Sequence, residues 1–138
     1  MDGAGPDASG WPRCQTGSVQ PSAAILIVDD HDGFRTFARG MLEAAGFTVA
    51  EAATGAEAAE AARSVRPGLV LLDIQLPDSD GFEVARRLAA QADGPVIVLT
   101  STREASDYGG RISSSPAAGF LPKDKLSAAA IRRIAGRG

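Results

Sequence analysis

From Ala23 onward the chain alternates between short apolar runs and longer stretches whose apolar residues recur at helical spacing. The run Ala24-Ile25-Leu26-Ile27-Val28 is apolar at every position, as a central strand must be when helices cover both faces of its sheet. Phe34, Phe37, Ala38, Met41, Leu42 and Ala45 then recur at steps of three and four and predict one buried helical stripe, with Gly46 at its stop. Thr48-Val49-Ala50-Glu51-Ala52 is more polar and predicts a strand at the sheet edge. Thr54-x-x-Glu57 has the pattern of a capping box, heading an Ala-rich helix that stops near Val65, before Pro67. Leu69-Val70-Leu71-Leu72 repeats the doubly buried texture and ends at Asp73. After the break at Pro77, Asp80-x-x-Glu83 offers a second capping box, and Phe82, Ala85, Leu88 and Ala89 predict the buried stripe of a third helix. A fourth strand is read from Pro95 to Leu99.

Beyond Thr100 the helical signal weakens, because Gly109-Gly110 and Ser113-Ser114-Ser115-Pro116 oppose a long helix. The fourth helix is therefore expected to be short or loose. Gly119-Phe120-Leu121 predicts a brief fifth strand, and Leu126, Ala130, Ile131 and Ile134 mark a last amphipathic helix ending at Gly136. This alternation predicts an α/β fold, a doubly wound five-stranded parallel sheet with helices on both faces. Residues 1–22 are rich in Gly, Pro and Ser and read as a disordered tail, which leaves 23–138 as the folded domain.

Composition narrows the picture. A chain of 138 residues with 44% hydrophobic and 22% charged residues has room for one core and no second domain of ordinary size. The single Cys14 cannot form an internal bridge, and it is read as incidental. A formal charge of -3 and a pI near 5.1 speak against a broad basic field for nucleic acid. No apolar run reaches the length of a membrane span, and the amino terminus lacks a signal pattern, so a soluble cytoplasmic protein is expected. The tail carries Asp2, Asp7 and Arg13, so the domain itself is close to neutral and its acidity is local.

Ligands of open parallel α/β sheets bind outside the carboxyl ends of the strands, so the residues at those ends are the informative ones. The first strand ends in Asp29-Asp30, the third in Asp73 and the fourth in Thr100-Ser101, while Lys123 directly follows the fifth; the second ends in Ala52-Ala53 and offers no chemistry. Three carboxylates, a hydroxyl and an ammonium thus converge on one sheet edge. Carboxylates this close require a counter-charge, and oxygen donors with His31 as the only nitrogen nearby favour Mg²⁺ over zinc. Lys123, one of only two lysines, supplies a point charge suited to a phosphoryl group.

On these residues the sequence resembles the receiver domain of two-component response regulators, over about Ala24 to Ile134. The resemblance rests on four marks in order: Asp29-Asp30 after an apolar strand, Leu72-Asp73-Ile74-Gln75-Leu76-Pro77-Asp78-Ser79-Asp80-Gly81, Thr100 after Val96-Ile97-Val98-Leu99, and Gly119-Phe120-Leu121-Pro122-Lys123. It implies the flavodoxin-like strand order 2-1-3-4-5, which the chemotaxis receiver also has. It also implies that Asp73 takes a phosphoryl group from a phosphohistidine on a histidine kinase or phosphotransfer protein. Asp30 and Asp73 would bind Mg²⁺ directly, Asp29 through water, and the Gln75 backbone carbonyl would complete the protein ligands. Lys123 and the Thr100 hydroxyl would each hold a phosphoryl oxygen. Phosphorylation would draw Thr100 inward, admit Phe120 into the vacated space and so change the surface offered to a downstream protein.

The sequence departs from the family pattern at Asp124, where a Pro usually follows the lysine, at Ser101, where Ala or Gly is commoner, and in the soft fourth helix. Asp78 and Asp80 are read as turn and cap residues, His31 as a solvated side chain, and Arg132, Arg133 and Arg137 as a solvated helix end. A magnesium-dependent aspartyl phosphatase would want a second Asp two residues after Asp73, where Gln75 stands. A dinucleotide-binding module would want a Gly-rich turn, where Asp29-Asp30-His31-Asp32 places negative charge. With fifteen residues after Lys123, a stand-alone signalling phosphoacceptor, not an enzyme, is expected, with a receiver portion of a longer regulator as the alternative.

Overall fold

The structure, a computed structural model, describes residues 24–91 and 94–137; the expected tail lies outside them. Five strands form one parallel sheet in the order β2-β1-β3-β4-β5. They are β1 (Ala24–Val28), β2 (Thr48–Ala52), β3 (Leu69–Asp73), β4 (Val96–Ser101) and β5 (Gly119–Pro122). The helices are α1 (Asp32–Ala44), α2 (Gly55–Val65), α3 (Gly81–Ala89), α4 (Arg111–Ser114) and α5 (Ala128–Arg137). Two 3-10 turns, Ala105–Tyr108 and Lys123–Lys125, complete the order.

The alternation of strand side chains divides the core in two. Ile25, Ile27, Leu69, Leu71 and Val98 face α1 and α5, meeting Ala38, Leu42, Ile131 and Ile134. Leu26, Val28, Val70, Leu72, Ile97 and Leu99 face α2 and α3, meeting Ala58, Ala62, Phe82, Ala85 and Leu88. Burying one such Leu or Ile side chain stabilises the fold by about 1.5–3 kcal/mol, which makes the central strands the rigid base of the sheet edge.

Local chemistry sets the joints. Gly46, at φ 101°, ends the first helical segment in a conformation that L side chains rarely adopt. Thr54 caps α2 by accepting from the Glu57 N–H at 3.1 Å, and Glu57 returns to the Ala53 N–H at 2.8 Å. Asp80 caps α3 through the Phe82 N–H, but the second capping box does not close: Glu83 pairs with Arg86 and Arg87 instead. Asp78 is a cap, though of another element, because its carboxylate accepts from the Gly55 and Ala56 N–H groups of α2 at 2.8 and 3.1 Å. Those two amides hold its pKa below the usual carboxylate range, Gly55 foremost.

Four other expectations are corrected. Phe37 is 57% exposed, because α1 turns Ala38 and Leu42 inward and leaves the far edge of the stripe in solvent. Ala89 is exposed, and Val84 takes its place in the core. β4 runs two residues past Leu99, since Thr100 and Ser101 pair with Leu121 and Pro122 of β5. Arg132 is not merely a solvated helix end: its guanidinium donates to the Ala45 carbonyl at 3.0 Å and lies 5.1 Å from the Phe47 ring centroid. The weak fourth helix is confirmed, with α4 only four residues long.

Candidate functional site

The parallel sheet brings its strand ends together at the edge that the sequence marked. Asp29 directly follows β1, with its N–H on the Ala52 carbonyl at 3.0 Å. Asp73 closes β3 opposite Thr100, and the Ile74 N–H donates to the Thr100 carbonyl at 3.0 Å. Asp29, Asp73, Thr100 and Ser101 are the buried polar residues among those described, although the rest of the interior is apolar. Burying charged and polar groups together costs stability unless something pairs with them, so their concentration at one edge marks the candidate functional site.

Lys123 reaches this edge from the turn after β5. Its ammonium lies 2.5 Å from Asp29 Oδ2, 3.4 Å from Asp73 Oδ2 and 4.7 Å from the Phe34 ring centroid. Asp124, in place of the pattern's Pro, leaves the lysine in position, and every described peptide bond is trans. One ammonium does not satisfy both carboxylates. Asp29 Oδ2 is buried and has no directed hydrogen bond, so Lys123 serves it as a nearby charge only. Burial raises the Asp73 pKa against the Gln75 N–H, which donates to Oδ1 at 3.1 Å; the Asp29 charge raises it further, and Lys123 opposes.

Asp30 stands at the solvent side. Ligand atoms of Asp29, Asp30, His31 and Asp73 all lie within 4.8 Å of one another, a grouping able to hold one metal ion. The fit to a hard dication rests on the carboxylate oxygens, three acidic side chains gathered around the single ammonium of Lys123. Gln75 forms an isolated bridge with Asp80, and the chain there packs tightly against α3. A Cβ on Gly81 would fall 2.5 Å from both the Asp73 carbonyl oxygen and Ile74 Cα, so only glycine fits where the helix closes on the end of β3.

His31, expected as a solvated side chain, is 64% exposed, and its Nδ1 shares a hydrogen bond of 2.8 Å with Asp29 Oδ1 and lies 3.3 Å from Asp30 Oδ1. A second group at this edge escaped the sequence reading. Tyr108 shares a hydrogen bond of 2.6 Å with the buried Ser101 hydroxyl, and its ring packs between Phe82 and Phe120 at 5.9 and 6.3 Å. The extra hydroxyl of Ser101 was the one available signal for the second group. Its partner lies in a segment without strong periodicity. A separate groove of about 710 Å³ lies at the opposite sheet edge among Arg63, Arg66, Pro67 and Pro95, away from every acceptor residue.

The architecture and site define a class that comparison with known proteins confirms. The family model described as response regulator receiver domain matches residues 25–134, and the chain belongs to that family. Among its relatives, the transcriptional regulatory protein AfsQ1 of Streptomyces coelicolor is 38% identical over 84 residues, covering 61% of this chain and 37% of that one. The transcriptional regulatory protein SrrA of Staphylococcus aureus is 41% identical over 83 residues, covering 60% and 34%. The BeF3-activated N-terminal receiver domain of Klebsiella pneumoniae RstA superposes with a TM-score of 0.73 at 28% identity, covering 80% of this chain and 94% of that domain. This chain spans about a third to a half of the length of the curated relatives it matches.

Proposed function

We propose that Asp73 is the phosphoacceptor of this receiver, with Lys123 and Thr100 holding the transferred group. The observation that carries this reading is the Lys123 ammonium set against two buried carboxylates, one of which closes a strand beside Thr100. An Asp73 carboxylate oxygen attacks phosphorus, the bond from phosphorus to the donor imidazole nitrogen breaks, and that nitrogen retains the electron pair and takes a proton. Transfer of this kind asks for alignment and neutralised charge more than for covalent help from the protein. Lys123 provides a fixed positive charge and Thr100 a hydroxyl on the neighbouring strand.

Asp29, Asp30, Asp73 and the Gln75 carbonyl are the residues that would hold Mg²⁺. Mg²⁺, when bound, neutralises charge on the phosphoryl oxygens. The donor is a histidine kinase or a histidine phosphotransfer protein, since a phosphoimidazole is the phosphoryl source the family uses. Gln75, in the position where an aspartyl phosphatase wants a second acid, favours a carried phosphoryl group over turnover of small esters.

Residues 23–138 form the receiver, working in the cytoplasm; no described helix is long and apolar enough to cross a membrane. Movement of Thr100 and Phe120 carries the signal toward Tyr108 and α4, which already pack on the Phe120 side of the sheet. The relatives are named as transcriptional regulators and are longer than this chain, which supports an output on transcription through protein outside the described domain. Borohydride trapping tests the assignment. After incubation with phosphoramidate and Mg²⁺, reduction should convert residue 73 alone to homoserine; conversion at Asp29, Asp30 or Asp78 would overturn it.

A further inference from the structure

We infer that Arg35 is a positioning residue of the acceptor site: its guanidinium holds the peptide unit between Asp29 and Asp30 and so sets where the Asp30 carboxylate stands for a bound cation. This rests on the reading of Asp29, Asp30 and Asp73 as cation ligands and adds a residue that does not touch the cation. The guanidinium nitrogens meet three different acceptors. Nη1 donates to the Asp29 backbone carbonyl at 2.6 Å, Nε to Glu51 Oε1 at 2.9 Å, and Nη2 to the Asp32 carboxylate. The side chain is only 16% exposed, although it stands near the start of α1 at the mouth of the site.

The guanidinium is anchored from outside the acid cluster. Glu51 stands on β2, and its second oxygen is held by Arg39, whose Nη2 also donates to the Val49 carbonyl at 2.8 Å. Glu51 is thus gripped at both oxygens, and Arg35 takes its place from β2. Glu51 and Asp32 together answer the Arg35 charge, which separates its part from that of Lys123. Lys123 faces the carboxylates as a charge; Arg35 faces the backbone as a donor.

A peptide unit is planar, so fixing its carbonyl oxygen fixes the whole unit. Asp29 is already tied by other contacts: its N–H donates to the Ala52 carbonyl at 3.0 Å, its Oδ1 accepts from the His31 N–H at 2.8 Å, and its Oδ2 lies 2.5 Å from the Lys123 ammonium. Asp30 is held far less. Its side chain is 37% exposed and lies 3.3 Å from the His31 ring nitrogen, so the direction in which it leaves the chain depends on the peptide unit before it. A guanidinium spreads its donors in one plane and can reach the turn, α1 and β2 at once, whereas an ammonium is a single point.

The sign of one effect separates positioning from charge. Removing a cation beside three carboxylates would, by Coulomb attraction alone, tighten the binding of a dication. The positioning role predicts the reverse. Wild type, Arg35→Gln, Arg35→Lys, Asp30→Asn and the double variant Arg35→Gln/Asp30→Asn are titrated with MgCl₂ by calorimetry, well below the melting point of each. Arg35→Gln should bind Mg²⁺ about tenfold more weakly than wild type, the size of effect typical for losing a residue that orients a metal ligand. Arg35→Lys, which keeps the charge but not the fork, should also weaken binding, and it carries the test if the glutamine variant does not fold. In the double variant the Arg35 change should add little to the loss from Asp30→Asn, because it acts through that carboxylate. Tighter or unchanged binding in Arg35→Gln, wild-type affinity in Arg35→Lys, or losses that simply add in the double variant overturns the inference and leaves the cation site standing. A wild type that does not bind Mg²⁺, or an Asp30→Asn variant that binds it undiminished, would instead remove the cation-site reading itself.

Discussion

The two ends of the reactive sheet edge are built differently. At one end Asp29 follows β1, Asp73 closes β3 and Lys123 follows β5, with the buried β1 and β3 behind the two carboxylates, and their charges do not balance. At the other, Ser101 and Phe120 meet Tyr108 and the four-residue α4 through one hydrogen bond and a few ring contacts. Rigid backing can hold an unfavourable cluster of charge ready for reaction. A thin aromatic bridge can change its packing at small cost, which suits the end that must respond. On the proposed reading, the first end carries the chemistry and the second the signal output.

The largest test of this contrast is Lys123→Ala. It strips the ammonium from two buried carboxylates and should lower stability by about 2 kcal/mol at neutral pH, part of the penalty for an unpaired buried charge being relieved by solvent at the mouth. Adding Asp73→Asn should restore much of that loss in chemical denaturation. An equal loss in the double variant would contradict the charge imbalance.

Asp73→Asn alone should stabilise. Burial holds the Asp73 carboxyl above its ordinary pKa, so the fold favours its protonated form. That contribution is complete below the unfolded-state pKa and is lost as pH rises through the higher folded value. Near pH 7 the variant should melt ~3–5 °C higher, the shift that about 1 kcal/mol produces in a domain of this size. The gain should vanish as pH falls below the ordinary carboxylate range. Thermal melts across that range check the sign.

Tyr108→Phe probes the other end. It leaves the buried Ser101 hydroxyl with only the Arg103 N–H, at 3.0 Å, and should cost about 1 kcal/mol. Hydrogen exchange should quicken in residues 105–114, while phosphoryl uptake by Asp73 persists. Arg111→Gln should have the smallest effect. It removes an exposed pair with Asp80 and a guanidinium 4.3 Å from the Phe82 ring centroid, and the change in stability should stay within ~0.5 kcal/mol.

The same contrast explains what was legible in the sequence. Strands buried on both faces write continuous apolar runs, so β1 and β3, and the acids that end them, could be located from the chain alone. Lys123 was legible because a short strand precedes it and lysines are scarce. Side-chain partners chosen across the fold were not: Asp78 caps a helix more than twenty residues upstream, and Glu83 turns to Arg86 and Arg87 when it could have closed a box. Phe37 has the spacing of a core residue but sits at the margin of the α1 stripe, where packing rather than period decides burial. The length of β4 depended on pairing with β5, and Tyr108 found Ser101 through a segment with no period to read.

The central claim is that Asp73 accepts a phosphoryl group in a cation-dependent reaction. Intact-mass analysis after incubation with a small phosphodonor tests it most directly, with and without Mg²⁺, for the wild type and Asp73→Asn. The account predicts one phosphoryl adduct on the wild type, only with Mg²⁺, and none on the variant. An adduct that forms equally without Mg²⁺, or persists undiminished on Asp73→Asn, would contradict it.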